Sequence, residues 1–166
     1  TLPDYAVTLN DVTVDNAHLK YPLLRYQGMT YFPLTYDDSR FMGLETSWTA
    51  KEGLAVEQTS VSCIYGERAA ADNSGALWAE KADFPIGIEG ERVPHGENYP
   101  FLNFRGVAYM PLTAHYCTEL LGWQQRLDEE KGLVLTAGNP RIQQVTLEGG
   151  TANFVLKGSY LWAAED

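Results

Sequence analysis

Residues 21–35 of the chain read YPLLRYQGMTYFPLT, and residues 99–113 read YPFLNFRGVAYMPLT. With residue 21 set against residue 99, the two segments are identical at eight of fifteen positions. The register then slips by one residue, after which Gly43 matches Gly122. Because a sequence period of this kind is typical of a duplicated structural unit, the chain is predicted to contain two copies of one unit.

Each copy is predicted to be an α+β unit with the order β-β-β-β-α-β-β. Short alternating runs of apolar and polar residues indicate the strands. Gly28 and Gly106 follow the third strand of each copy, where a tight turn is expected to need a positive φ angle. Thr35 and Thr113 stand where a helix N-cap belongs, so one short α-helix of about two turns is expected after each of them.

The repeat divides the chain into four predicted segments. Residues 1–58 form the first copy and residues 84–138 form the second. Residues 59–83 are predicted to connect them as a β-hairpin or linker. Residues 139–166 are predicted to form a C-terminal β-hairpin and tail, because two alternating runs flank Glu148-Gly149-Gly150.

Composition limits the partners that the chain can bind. The net charge is −10 and hydrophobic residues make up 45% of the chain. Phosphate backbones require clustered Lys and Arg, and the 12 basic residues here are scattered, so we expect no nucleic-acid partner. The sequence contains no apolar run of the roughly 20 residues that cross a bilayer, so no membrane insertion of this segment is expected.

The sequence contains no motif that predicts catalysis, a cofactor or a metal. It has no G-x-S-x-G, P-loop or dinucleotide-type glycine pattern. His115 and Glu119 have the i, i+4 spacing of a ligand pair, but two ligands make a poor metal site. Asp37 and Asp38 are interpreted as first-turn acids that complement the helix dipole. We therefore expect a protein that is not an enzyme, with no catalytic residues, no cofactor and no metal.

The aromatic content provides candidate contact residues. The chain has ten Tyr and four Trp. Trp78 and Trp162 have no counterpart in the repeat, so they are predicted as exposed surface contacts. The repeated tyrosines are predicted to be core or half-buried sheet residues; these are Tyr21, Tyr31, Tyr99 and Tyr109.

Two cysteines, Cys63 and Cys117, leave two interpretations open. Both stand on apolar faces of predicted elements, so a disulfide and two separate buried thiols both fit the sequence. Two separate thiols are the preferred interpretation, because a disulfide needs a spatial proximity that the sequence does not show.

One further pattern resembles a known family. It combines Tyr31-Phe32-Pro33-Leu34-Thr35, a short helix, Gly43-Leu44, Ser47-Trp48 and a strand at Leu54-Ala55-Val56. This order is similar to the copper amine oxidase N-terminal-like domain, also called the stalk domain, and both copies match it. Thr35 and Thr113 replace the arginine that usually ends the proline-leucine element, and Leu127 replaces the tryptophan in the second copy.

The resemblance implies that each copy is an antiparallel β-sheet curled around one short α-helix. It also implies a secreted or cell-envelope-associated bacterial protein, and it does not imply amine oxidation. We therefore expect a non-catalytic binding or structural module that contacts an envelope polysaccharide, peptidoglycan or a protein partner.

Two alternatives remain open at this point. The first is an accessory domain of an envelope hydrolase, with an inhibitory or substrate-presenting role. The second is a hydrolase that uses the scattered carboxylates Glu89, Glu91 and Glu97.

Overall fold

A computed structural model describes residues 1–59, 61–96 and 98–137, and the backbone of three later strands. These later strands are Ile142–Leu147, Gly150–Lys157 and Tyr160–Ala163. The described part is mostly β-sheet with two short helices and a 3₁₀ turn at Asn16–His18. The coarse α+β prediction is therefore confirmed, with strand predominating.

The central sheet has five strands in the order β3-β4-β12-β11-β8. Strands β4 and β12 run antiparallel at its middle, where Phe32 lies opposite Met110. Gly28 and Gly106 both have φ near +80°, as predicted, and the residue before each is also positive. Positive φ at both turn positions defines a type I′ hairpin. The strands are β3 (Leu24–Tyr26), β4 (Met29–Pro33), β8 (Glu80–Lys81), β11 (Leu102–Phe104) and β12 (Val107–Pro111).

Two four-stranded sheets each combine strands from both halves of the chain. Their orders are β13-β14-β1-β2 and β10-β9-β6-β5. Strand β1 runs parallel to β14, with Val7 opposite Leu133, and β6 runs parallel to β9, with Leu54 opposite Ile86. Each opening hairpin thus joins the last strand of the other half. The strands are β1 (Val7–Leu9), β2 (Val12–Val14), β5 (Leu44–Thr49), β6 (Gly53–Gln58), β9 (Ile86–Ile88), β10 (Glu91–Arg92), β13 (Gln124–Asp128) and β14 (Gly132–Thr136).

The fourth sheet has the order β17-β16-β15-β7. The predicted C-terminal hairpin is present as β15 (Ile142–Leu147) and β16 (Gly150–Lys157). It gains a third strand, β17 (Tyr160–Ala163), and pairs in parallel with β7 (Val61–Cys63). The connecting segment 59–83 does not form a β-hairpin, because its two strands, β7 and β8, lie in different sheets and β8 pairs with β11.

The two helices differ in their winding. Helix α1 (Tyr36–Phe41) is capped by the Thr35 side chain, and the second helix (Ala114–Leu120) is capped by Thr113. The second helix has π geometry, which corrects the prediction of an α-helix. Its segment between the capping threonine and the terminal glycine is one residue longer, and a π turn accommodates one extra residue without changing either end.

The core lies on both faces of the central sheet. Successive residues of a strand point to opposite faces, so Phe32 enters the larger core while its neighbour Tyr31 enters the smaller one. In the larger core the rings of Phe32 and Trp123 meet edge to face at 5.2 Å. Tyr31 and Tyr109 are fully buried, as predicted, and burial raises the pKa of both phenols.

Candidate functional site

A cleft of about 580 Å³ opens beside the start of helix α1. The first helical turn forms one wall, and strand β5 with Phe84, two residues before β9, forms the other. The start of β12 and the connecting segment near Arg68 complete it. The residues that line it are Leu19, Tyr21, Leu34, Thr35, Tyr36, Asp37, Asp38, Trp48, Leu54, Arg68, Ala69, Phe84, Gly106, Val107 and Ala108.

Exposed aromatic rings stand at the rim of this cleft. The Trp48 side chain is 58% exposed, and its ring meets Phe84 edge to face at 5.3 Å. Tyr36 is also exposed, and the Arg40 guanidinium lies 3.7 Å from the centre of its ring. Large apolar rings held in place at a concave surface are typical of a binding site.

A buried ion pair fixes the inner end of the cleft. The Nε atom of Arg68 donates to Oδ1 of Asp38 at 3.2 Å, and the Thr35 hydroxyl donates to the other carboxylate oxygen at 2.7 Å. The Arg68 guanidinium also lies 4.2 Å from the centre of the Tyr65 ring. The cationic group is therefore held by the protein itself.

Burial and the hydrogen-bonding partners of Asp38 shift the pKa of its carboxyl group in opposite directions. Burial raises the pKa of its carboxyl group, whereas the hydrogen bond from Thr35 and the charge of Arg68 lower it. Burial is the larger effect, so the pKa lies above the ordinary value for aspartate.

The capping interpretation of the two acids holds in part. The backbone N–H of Asp38 donates to the Thr35 side chain at 2.9 Å, as the N-cap prediction requires. Asp38 additionally anchors Arg68 of the connecting segment, a role that the local sequence pattern does not indicate. Asp37 stays exposed in the first turn of α1.

The same helical position carries a different residue in the second half. Thr113 accepts a hydrogen bond from the Tyr116 backbone at 3.2 Å, just as Thr35 accepts one from Asp38. Tyr116 is buried, and its ring packs edge to face on Phe101 at 5.2 Å. At this position α1 therefore carries a short acidic side chain beside the cleft, whereas the second helix carries a large aromatic ring that packs in the core.

The predicted contact tryptophans have different outcomes. Trp78 precedes β8 and is 84% exposed. Trp162 lies in β17, and its side chain is outside the described residues. The sequence interpretation missed Trp48, which it treated only as part of a strand motif. A signal was present in the sequence, since Leu127 replaces the tryptophan in the second half, so the repeated unit does not require it.

The other predicted groups are distributed over the surface and core. The carboxylate of Glu89 accepts a hydrogen bond from the Gln58 backbone, and Glu97 lies outside the described residues. Cys63 and Cys117 are two free thiols, of which Cys117 is buried as expected and Cys63 is only half-buried. Burial raises the pKa of the Cys117 thiol to about 11, so that thiol is unreactive near neutral pH.

His115 joins the second helix to strand β10. Its Nδ1 atom lies 2.8 Å from Glu119 and its Nε2 atom lies 2.9 Å from Glu91. The hydrogen bond to Glu119, followed by that to Glu91, raises the pKa of the imidazole above its ordinary value. Within the described residues no group of three potential ligands is placed to hold a metal ion.

We expect this histidine to make the free energy of unfolding depend on pH. Because the folded-state pKa is raised, the contribution is complete below the unfolded pKa of about 6.5 and is lost as pH rises through the folded pKa. Urea unfolding from about pH 5.5 to 9 should show this loss in the wild type and not in His115→Gln. His95→Gln, at an exposed histidine, is the control, and an identical profile in all three proteins would contradict the assignment.

The comparisons with other proteins identify no relative. The chain matches no family model, no curated protein and no solved structure. No helix in the described part of the chain is long and apolar enough to cross a membrane.

Proposed function

We propose that this chain is a non-catalytic binding module that contacts its partner through the cleft beside helix α1. The observation that carries the proposal is Trp48, a large ring left 58% exposed at the rim of an apolar cleft. The face of this ring that does not pack on Phe84 is open to solvent, and its burial against a partner would contribute hydrophobic free energy to binding.

The lining of the cleft favours a protein partner over a polymer. Its floor is formed by apolar side chains such as Leu34 and Val107, and its buried cation is already bound to Asp38. An apolar or aromatic side chain of a partner protein suits the surface best.

We further propose that the chain consists of two copies of one unit, as in the stalk-like domains that the sequence resembles. Three reciprocal features support this. Tyr31 donates to the Pro100 carbonyl at 2.9 Å, and Tyr109 donates to the Pro22 carbonyl at 2.8 Å. The two type I′ turns and the two capping threonines also recur at matched positions. On this proposal the protein is a secreted or cell-envelope component in bacteria.

Binding to two probes tests the proposed function. The first is an array of short peptides, each with one Trp, Phe or Leu anchor in a polar background, and the second is purified peptidoglycan sacculi in a sedimentation assay. We expect peptide binding that falls about ten-fold or more in Trp48→Ala. Leu127→Ala is the matched control, because Leu127 is the exposed residue at the corresponding position on β13 of the other half, and its loss should leave binding unchanged.

Each outcome has a defined meaning. Binding only to sacculi, lost in Trp48→Ala, would keep the cleft as the site and replace the protein partner with an envelope polymer. Binding that Trp48→Ala leaves intact, or binding to neither probe, would contradict the cleft as the site.

A further inference from the structure

A second aromatic surface lies on the opposite face of the central sheet. Leu77 packs against the smaller core of Leu24, Tyr31, Leu102, Phe104 and Tyr109. This contact fixes the connecting segment and turns the next residue, Trp78, outward, where it is 84% exposed. The indole therefore stands on an anchored segment rather than on a free loop.

A groove of about 370 Å³ runs beside this indole. Its floor is the buried apolar surface of Leu24, Leu102 and Phe104, and the exposed ring of Tyr26 stands on it as a second aromatic group. Two amphipathic rings over an apolar floor can pack against the C–H face of a ligand while its polar groups stay hydrated.

The charges in this groove have one sign. Arg25 and Lys81 contribute to its lining, and among the described lining residues neither Asp nor Glu occurs. The nearest acid paired with Arg25 is Asp4, at 3.8 Å and with both side chains exposed, so the interaction is weak. A local positive surface on a chain of net charge −10 indicates an anionic ligand.

We propose that this groove binds an acidic polysaccharide whose carboxylates are carried on pyranose rings. The indole of Trp78 and the phenol of Tyr26 would stack on the sugar rings, and Arg25 and Lys81 would pair with the carboxylates. A bidentate guanidinium-to-carboxylate pair supplies specificity as well as attraction. This site is separate from the cleft beside α1, so it does not depend on the function proposed for that cleft.

Calorimetric titration with hexagalacturonate is the test, in low salt and again in about 0.15 M salt. We expect binding that weakens with salt, falls about ten-fold or more in Trp78→Ala, and falls several-fold in Arg25→Gln and in Lys81→Gln. Lys51→Gln, at an exposed lysine of the β5–β6 turn, and Leu127→Ala, at an exposed position of β13, are controls that should leave the affinity unchanged. A melting temperature for each variant checks that it is folded.

Two further probes separate the sources of affinity. Fully methyl-esterified hexagalacturonate lacks the charges, and equal binding to it would overturn the requirement for carboxylates. Poly-glutamate carries the charges without sugar rings, and equal binding to it would overturn the saccharide assignment. Failure of hexagalacturonate to bind, or binding unaffected by Trp78→Ala in a folded variant, would overturn the proposal as a whole.

Discussion

Gly132→Ala is expected to destabilise the protein by about 3 kcal/mol or more, one of the largest losses available to a single methyl group in this chain. Gly132 has a φ of +70°, and a Cβ atom built on it would lie 2.0 Å from the carbonyl oxygen of Ala6. That oxygen accepts the backbone hydrogen bond of Leu133 at 2.8 Å, beside the parallel pairing of β1 with β14. The methyl group would therefore separate the two strands as well as strain the backbone.

A matched pair of variants separates these two effects. Gly53→Ala should cost about as much, because its Cβ atom would lie 2.0 Å from the Pro85 carbonyl oxygen where β6 meets β9. Gly106→Ala should cost only about 1–2 kcal/mol, since its φ is +80° but nothing lies within 4 Å of the added atom. Urea unfolding measures all three, and equal losses would show that close strand approach contributes nothing beyond backbone strain.

The contrast between these glycines also shows what the sequence could predict. The Gly28 and Gly106 turns and the capping threonines are local features, whose residues and neighbours carry the whole signal. The parallel pairings of β1 with β14 and of β6 with β9 join distant segments. Apolar alternation gives the strands but not their partners, so an exchange between the two halves could not be predicted.

The candidate sites follow the same division. The exposure of Trp78 could be predicted, because Trp78 has no counterpart in the repeat and therefore no place in a core that both copies share. The cleft at Trp48 could not, because it depends on Phe84, Arg68 and the first turn of α1 meeting in space. The Asp38–Arg68 pair bridges 30 residues, and Asp38 alone resembles any acid in a first helical turn.

Arg68→Met is expected to destabilise the protein by about 3 kcal/mol at neutral pH, and by less in acid. The side chains of Asp38 and Arg68 are only 8% and 12% exposed, so removing the cation leaves an uncompensated buried carboxylate. The pKa of Asp38 is already raised in the folded protein by burial, and loss of Arg68 should raise it further. A raised folded pKa means that stability is complete below the unfolded pKa and is lost as pH rises through the folded value. The loss caused by Arg68→Met should therefore grow as pH rises from about 4 to 7.

Two variants make this expectation specific to the buried pair. Arg126→Met removes the cation of an exposed pair with Asp128, whose charges are 3.1 Å apart, and should cost less than about 1 kcal/mol at either pH.

The double variant Arg68→Met/Asp38→Asn removes both charges and keeps a side-chain oxygen that can accept the Thr35 hydrogen bond. It should recover much of the lost free energy at neutral pH and lack the additional fall between about pH 4 and 7 that Arg68→Met shows, because an amide does not ionise in this range. Urea unfolding at about pH 4 and at about pH 7 measures the free energy of unfolding of each variant. If Arg68→Met loses the same free energy at both pH values, then Arg68 stabilises the protein by packing on the Tyr65 ring rather than by its charge.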